Sequence, residues 1–289
     1  MVVFSTGFGT PSRTYVGLTS YWASHGYIVM KVGHPETETD MADIAAAWKD
    51  QTPADWRNRT GDMKFVIDSL GSLADRYPEL KGKMDVERLG VGGHSYGAFV
   101  AMLLAGARTF TNGVPTSYAD PRIKAVIAMS PQGPSEMRGL TTESWREVSV
   151  PIMYMTGSTD IGMTETENET WRKQAFELSP AGDKWFVSIA GAGHFAFTGR
   201  TVAPIATVEP DMRVPVRTRE LPPRSDPADE PNPLMPRRVD TGFYSARQSL
   251  AVIRTVSVAF WDAYLANENA GREYLAKLKE RGDMKVESK

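Results

Sequence analysis

Apolar and polar positions along this chain follow two alternating periods. Six short runs rich in β-branched and apolar residues read as strands: Val2–Ser5, Tyr27–Val32, Arg88–Val91, Ala125–Met129, Ile152–Met155 and Trp185–Ile189. Between the second and third runs, Met63, Val66, Ile67, Leu70, Leu73 and Tyr77 recur every three to four positions. That spacing lays one apolar stripe on a helix from about Thr60 to Tyr77, which Pro78 ends. Leu250, Ile253, Val256, Phe260 and Leu265 repeat the pattern and predict a closing helix from about Ser245 to Asn267, packed on the sheet. Strands alternating with helices predict an α/β protein with a mostly parallel sheet of about six strands, flanked by helices.

Two stretches depart from this rhythm. The uncharged segment Leu89–Ala107 has the length of a membrane span, but its 19 residues include five glycines, His94 and Ser95. Only Tyr96–Ala107 is continuously apolar, the length of a buried core helix, so no span is expected. From Thr201 to Asp240 there are nine prolines among interleaved charges, which leaves room for neither strand nor helix. This reads as a proline-rich insertion at 201–240 in a single domain covering 1–289.

Composition narrows the class without naming it. With 41% hydrophobic and 24% charged residues in 289, the chain is an ordinary globular protein and not a disordered or fibrous one. A net charge of -2 offers no field to gather phosphates, so nucleic acid is not an expected partner. The absence of cysteine excludes disulfide scaffolds, thiolate metal sites and cysteine nucleophiles while leaving the compartment open between cytoplasm and a secreted mature form. Met1–Gly7 lacks the charged and apolar regions of a signal peptide, so no export signal is expected in this sequence. Oligomeric state is not legible.

The chemistry concentrates in Gly93-His94-Ser95-Tyr96-Gly97, a G-x-S-x-G between the strand ending near Val91 and the apolar helix Ala98–Leu104. A serine on so sharp a strand-to-helix turn needs small neighbours for the backbone to fold back, and the turn holds its Oγ clear of the sheet. The helix N-terminus then faces any negative charge that develops beside it. A serine hydroxyl also needs a base, and the base an orienting acid. Among the four histidines, His94 lies within the turn and reads as structural, His25 sits on a connection, and His34 precedes Pro35 in a loop. His194 follows the last predicted strand in Ala190-Gly191-Ala192-Gly193-His194-Phe195, whose glycines let the loop carry an imidazole over the strand ends. Asp160, after the strand and turn Pro151–Thr159, is the expected acid, with Glu165 and Glu167 as rivals. The order Ser95, Asp160, His194 is the chain order of α/β-hydrolase triads. Backbone amides of Tyr96 and of Phe8, between Gly7 and Gly9, are the expected oxyanion donors.

Other groups invite weaker readings. Gly7-Phe8-Gly9 lacks the third glycine of a dinucleotide loop. Glu36, Glu38, Asp40 and Asp43, like Asp160, Glu165, Glu167 and Glu169, lack the pattern of a calcium loop and read as solvated. Neither cofactor nor metal is therefore expected. Phe195, Trp145 and Met163 are candidate pocket walls.

Together these marks resemble the α/β-hydrolase superfamily, and within it platelet-activating-factor acetylhydrolases, dienelactone-hydrolase-like esterases and cutinase-like polyester hydrolases. The motifs are Phe4–Gly9, Ala23-Ser24-His25-Gly26-Tyr27, Gly93–Gly97, Thr156–Asp160 and Gly191–Phe195, and the likeness spans most of Val2 to Phe195 plus the closing helix. It implies a serine esterase working through an acyl-enzyme on a small or polymeric ester. Alternatives are a serine peptidase or amidase of the same fold and a non-catalytic binding protein. Two departures stand out. Thr6 occupies a position where the family commonly has histidine. The oxyanion loop starts at residue five, so the first two strands of the usual fold are expected to be missing. Ser95, in place of the cysteine of dienelactone hydrolases proper, puts the chain on the esterase side. The insertion leaves from the His194 loop and is expected to border the acyl pocket.

Overall fold

A computed structural model describes residues 1–35, 53–162, 164, 166–199 and 246–289. The proline-rich stretch 201–240, Ser245, Met163 and the acidic residues Glu36, Glu38, Asp40, Asp43 and Glu165 lie outside the described residues. The strands are β1 (Val2–Ser5), β2 (Val29–Val32), β3 (Leu89–His94), β4 (Arg108–Thr111), β5 (Val114–Ser117), β6 (Ile123–Met129), β7 (Ile152–Thr159), β8 (Lys184–Gly193) and β9 (Met284–Ser288). The α-helices are α1 (Val16–Ser24), α2 (Pro53–Arg76), α3 (Tyr96–Leu104), α4 (Glu169–Leu178), α5 (Ala246–Trp261) and α6 (Asn269–Lys277).

Each of the six apolar runs forms a strand of one sheet, in the order β2-β1-β3-β6-β7-β8-β9. The first six are parallel, and β9 pairs antiparallel with β8. Alternate residues of each strand face two separate cores, which is why these runs are continuously apolar. Val3, Val91, Val126 and Tyr154 pack toward α2, α3 and α4 with Ile67, Phe99 and Phe176. Val2, Phe4, Ile127 and Val187 pack toward α1, α5 and α6 with Trp22, Phe260 and Leu275. Gly90 in β3 is required by this second layer: a Cβ there would stand 2.7 Å from Leu265 Cδ1 and 3.0 Å from the Trp261 ring.

The chain leaves β1 for β2 on one side and returns to β3 on the other. Loops after β1 and β3 therefore diverge and open a crevice at their carboxyl ends, where open α/β sheets bind ligands.

The structure extends the sequence reading in several places. The sheet has seven strands rather than six, because the short, charge-bearing run Met284–Ser288 adds an edge. A separate hairpin, β4–β5, turns through Asn112 and Gly113, both at positive φ (51° and 78°), the two-residue turn that matches strand twist. Helix α2 starts at Pro53, seven residues before the start expected at Thr60, and α5 passes at Trp261 into a π-helical turn, Asp262–Ala266. Arg247–Ala266 is long and apolar enough to cross a membrane by length and composition, and its Ile253, Val256, Phe260 and Trp261 are buried in the second core. All nine residues of α3 are buried.

Candidate active site

Ser95 follows β3 and caps α3 at φ 55° and ψ −120°, a conformation costly for any residue with a side chain. The surrounding backbone enforces it. Ser95 N–H donates to the Met129 carbonyl at 2.8 Å, and the Ser95 carbonyl accepts from Ala98 and Phe99 N–H at 2.8 and 3.1 Å. A Cβ on Gly93 would stand 2.0 Å from the Gly97 carbonyl oxygen, and one on Gly97 would stand 2.1 Å from the Ser5 carbonyl oxygen. Both glycines of the motif are thus steric necessities, and the second presses the turn against the end of β1.

The loop after β8 brings His194 over this turn, at the start of a short 3₁₀ helix, His194–Thr198. Its Nε2 is 3.0 Å from Ser95 Oγ, and its Nδ1 is 2.8 Å from Asp160 Oδ1. A carboxylate only accepts, so Nδ1 carries the proton and Nε2 presents its lone pair to the serine hydroxyl. Gly157 makes the meeting possible, since a Cβ there would lie 2.1 Å from the Ala192 carbonyl oxygen. Without that close approach of β7 to β8, Asp160 could not reach the histidine two residues past Ala192.

Asp160 is enclosed and fully bonded. Ser130 Oγ and Thr156 Oγ1 donate to its Oδ2 at 2.6 and 2.8 Å, and Arg172 Nη2 lies 3.1 Å from Oδ1. Burial alone would push its pKa up, but Arg172 and the hydrogen bonds from His194 and Ser130 hold it well below the usual carboxylate range. The rival Glu167 is taken by Arg138, at 3.1 Å.

The loop after β1 is held from three sides. Arg59 of α2, itself buried, donates to the Thr6 carbonyl at 2.6 Å and places its guanidinium 4.7 Å from the centre of the Tyr96 ring. Tyr15 hydroxyl accepts from Gly7 N–H at 3.0 Å and donates to His94 Nδ1 at 2.8 Å. His94 Nε2–H in turn donates to the His194 carbonyl at 2.8 Å. One chain of bonds therefore ties the loop of Gly7 and Phe8 to the backbone of His194. Burial, then the neighbouring His194, lowers the His94 pKa to about 3, so this imidazole stays neutral as the chain of donors requires. Phe8 packs edge-on against Tyr96, ring centres 5.6 Å apart. Thr6 Oγ1 is buried with no hydrogen-bond partner among the described residues.

A second Ser–His–Asp relay exists close by. Ser5 Oγ is 3.0 Å from His34 Nε2, and His34 Nδ1 is 2.7 Å from Asp62 Oδ2. Ser5 is fully buried within β1 and sits on no strained turn, so the same three residue types here brace a strand end. His25 bonds to Tyr21 and Ser24 on the surface. Trp145, a candidate pocket wall, is instead core: it is fully buried with Nε1 3.4 Å from Met102 Sδ. Phe195 is exposed, its ring edge-on to His194 at 5.4 Å. Among the described residues no group of three or more His, Cys, Asp or Glu is placed to hold a metal.

Sequence reasoning did not find Arg172, Ser130, Thr156, Arg59 or Tyr15. The first three reach Asp160 from α4, the end of β6 and β7; Thr156 opens the Thr156–Asp160 motif without that motif assigning its hydroxyl a role, and no local motif marks Arg172 or Ser130. Ser130, like Ser95, follows a strand at positive φ, 52°, which only the folded backbone reveals.

No family model matches the chain. It is similar to cutinase est2 of Thermobifida alba, 24% identical over 204 residues covering 70% of this chain and 55% of that protein. Cutinase est1 of the same organism is 23% identical over 204 residues, covering 70% of this chain and 56% of that protein. The chain spans about half the length of the curated relatives it matches. Among solved structures it is similar to a thermophilic esterase from Thermogutta terrifontis, with a TM-score of 0.43 and 15% identity, covering 68% of this chain and 74% of that one.

Proposed function

We propose that this chain, an α/β hydrolase by its parallel sheet and its strand–Ser95–helix turn, hydrolyses carboxylic esters through an acyl-enzyme, as a single domain over 1–289. The observation that carries the reading is the unbroken line Ser95 Oγ, His194, Asp160 at 3.0 and 2.8 Å beside a strained serine.

In this reading Ser95 Oγ attacks the ester carbonyl carbon while its proton passes to His194 Nε2. Asp160, ionised and aimed by its donors, stabilises the resulting imidazolium through Nδ1–H. Amides of Phe8 and Tyr96 receive the tetrahedral oxyanion, the first from the loop braced by Arg59 and Tyr15, the second from the first turn of α3. Collapse breaks the ester C–O bond, and the imidazolium protonates the departing alcohol. Water then attacks the acyl-serine, giving its proton to His194, and the acid leaves with Ser95 restored. The residues supply nucleophile, base and electrostatic stabilisation themselves, so the proposal calls on no cofactor. Cutinase relatives favour an ester substrate, small or polymeric, over an amide.

A fluorophosphonate probe tests the nucleophile: wild type should label and Ser95→Ala should not, with p-nitrophenyl ester turnover lost in the variant. Equal labelling of both overturns the assignment. Faster cleavage of p-nitroanilides than of the matched esters would move the reading to an amidase, and intact folding with no labelling of wild type would move it to a binding protein.

A further inference from the structure

We propose that Arg172 is a positioning residue of the triad, a buried cation that aims Asp160 at His194. The inference rests on the Ser95–His194–Asp160 reading above.

Arg172 stands in the first turn of α4, which Asn168 caps by accepting from Trp171 N–H at 3.2 Å. Its side chain is 1% exposed, so its charge is committed to the interior. Nη1 donates to the carbonyls of Ser130 and Pro131, both at 3.0 Å, and Nε to the carbonyl of Asp160 at 3.3 Å. Nη2 reaches the Asp160 carboxylate itself at 3.1 Å. One planar fork therefore grips Asp160 by both its peptide and its side chain, a geometry that a point charge on a flexible stem cannot reproduce. The same fork holds the carbonyl of Ser130 at φ 52°, the residue whose hydroxyl donates to the other carboxylate oxygen.

Arg172 Nη2 is also 3.3 Å from His194 Nδ1. Both groups are donors, and they converge on the single oxygen Oδ1 without bonding to each other. In general a fixed cation beside an imidazole acts on it with the opposite sign to a carboxylate, so removing one is read in a pH profile. The groups facing His194 are Asp160 after β7, Arg172 on α4 and neutral His94 at the end of β3, its ring centre 4.9 Å away. Tyr15 stands behind His94, and the pair of buried Arg138 with part-buried Glu167 stands beside Arg172. Asp160 Oδ1 thus takes both the Arg172 guanidinium and His194 Nδ1–H.

The test is the pH dependence of kcat/KM on p-nitrophenyl acetate for wild type, Arg172→Met, Arg172→Lys and Arg138→Met. Loss of the cation in Arg172→Met should move the acid limb upward by about one pH unit, with kcat at the plateau down at least about tenfold. Arg172→Lys should return the limb toward wild type while kcat stays reduced, because the charge is restored and the fork is not. Arg138→Met removes a buried cation of the same cluster that does not touch the imidazole, so its limb should not move even if it melts earlier. A folded Arg172→Met with a wild-type limb, or an Arg138→Met limb displaced as far, overturns the proposal. Should Arg172→Met prove insoluble, Arg172→Gln, neutral and still able to donate to a carbonyl, carries the same expectation and the same refutation. Fluorophosphonate labelling run alongside separates the two levels: no Ser95 label in wild type defeats the triad reading, whereas labelling with an unmoved limb defeats only the role of Arg172.

Discussion

Replacing Gly97 by alanine drives a methyl group into space that the backbone of β1 already fills. The added Cβ would stand 2.1 Å from the Ser5 carbonyl oxygen, 2.6 Å from its carbon and 2.7 Å from the Thr6 carbonyl oxygen, against 3.4–4 Å for ordinary contact. Relief takes more than 1 Å of movement, and every atom in the way is main chain, so no rotamer change can absorb it. The segment that must yield runs directly into Gly7 and Phe8, and displacing it carries the proposed Phe8 donor away from the carbonyl it serves. Misplacement of about 1 Å costs roughly 10²-fold in rate, and outright loss of an oxyanion donor about 10²–10³-fold. Overpacking should also cost about 1–3 kcal/mol of stability. The assay is kcat on p-nitrophenyl acetate, normalised to fluorophosphonate-titrated sites, beside a thermal melt. Gly61 in α2 is the control, because a Cβ there meets nothing within 4 Å, and Gly61→Ala should stabilise by about 0.5–1 kcal/mol with activity retained. A folded Gly97→Ala with kcat close to wild type would refute the steric account, as would equal loss of rate in Gly61→Ala.

Two further outcomes concern pH. His94 is held neutral in the fold with its pKa lowered to about 3, below the ~6.5 of a free imidazole, so the unfolded chain binds a proton the folded one refuses. Its contribution to stability is fully present above ~6.5 and falls by about 1.4 kcal/mol per unit as pH drops through that window. Urea melts between pH 7 and 4 should show this slope in wild type and a shallower one in His94→Gln; parallel slopes would contradict it. Asp160 has the opposite charge type and the same sign of dependence: depressed below the ordinary value of ~3.9, it contributes stability above that pH and loses it under acid. Ser130→Ala leaves Oδ2 with Thr156 as its side-chain donor, which should cost about 1–3 kcal/mol and move acid unfolding to higher pH, measured by circular dichroism; an unmoved midpoint would show the Ser130 bond to be dispensable.

Strand positions were legible because burial on both faces writes itself as continuous apolar runs, and Val2–Ser5 came out with the same ends in sequence and structure. Edges were less so. Met284–Ser288 carries a charge at every second or third place, and an edge strand needs little apolar signal to pair with Trp185–Ile189. The hairpin did have a signal, Asn112-Gly113 between two short extended runs, but those runs are too polar to stand out. Trp145 lies in a connection and still belongs to the core, since a long connection can fold its apolar side chains, Leu140 and Val148 with Trp145, under the sheet.

What the sequence determined by itself was local: which runs extend, where a serine must sit on a tight turn, and in what order a carboxylate and an imidazole follow. Those depend on periodicity and on glycines whose backbone needs show in the neighbouring letters. Only the tertiary structure decided which of two Ser–His–Asp relays opens to the crevice, and which buried arginine answers the carboxylate at 160. Both depend on strand order and on helices separated by many residues from the groups they touch, and an arginine bound to four carbonyl and carboxylate oxygens is written identically to one waving in water.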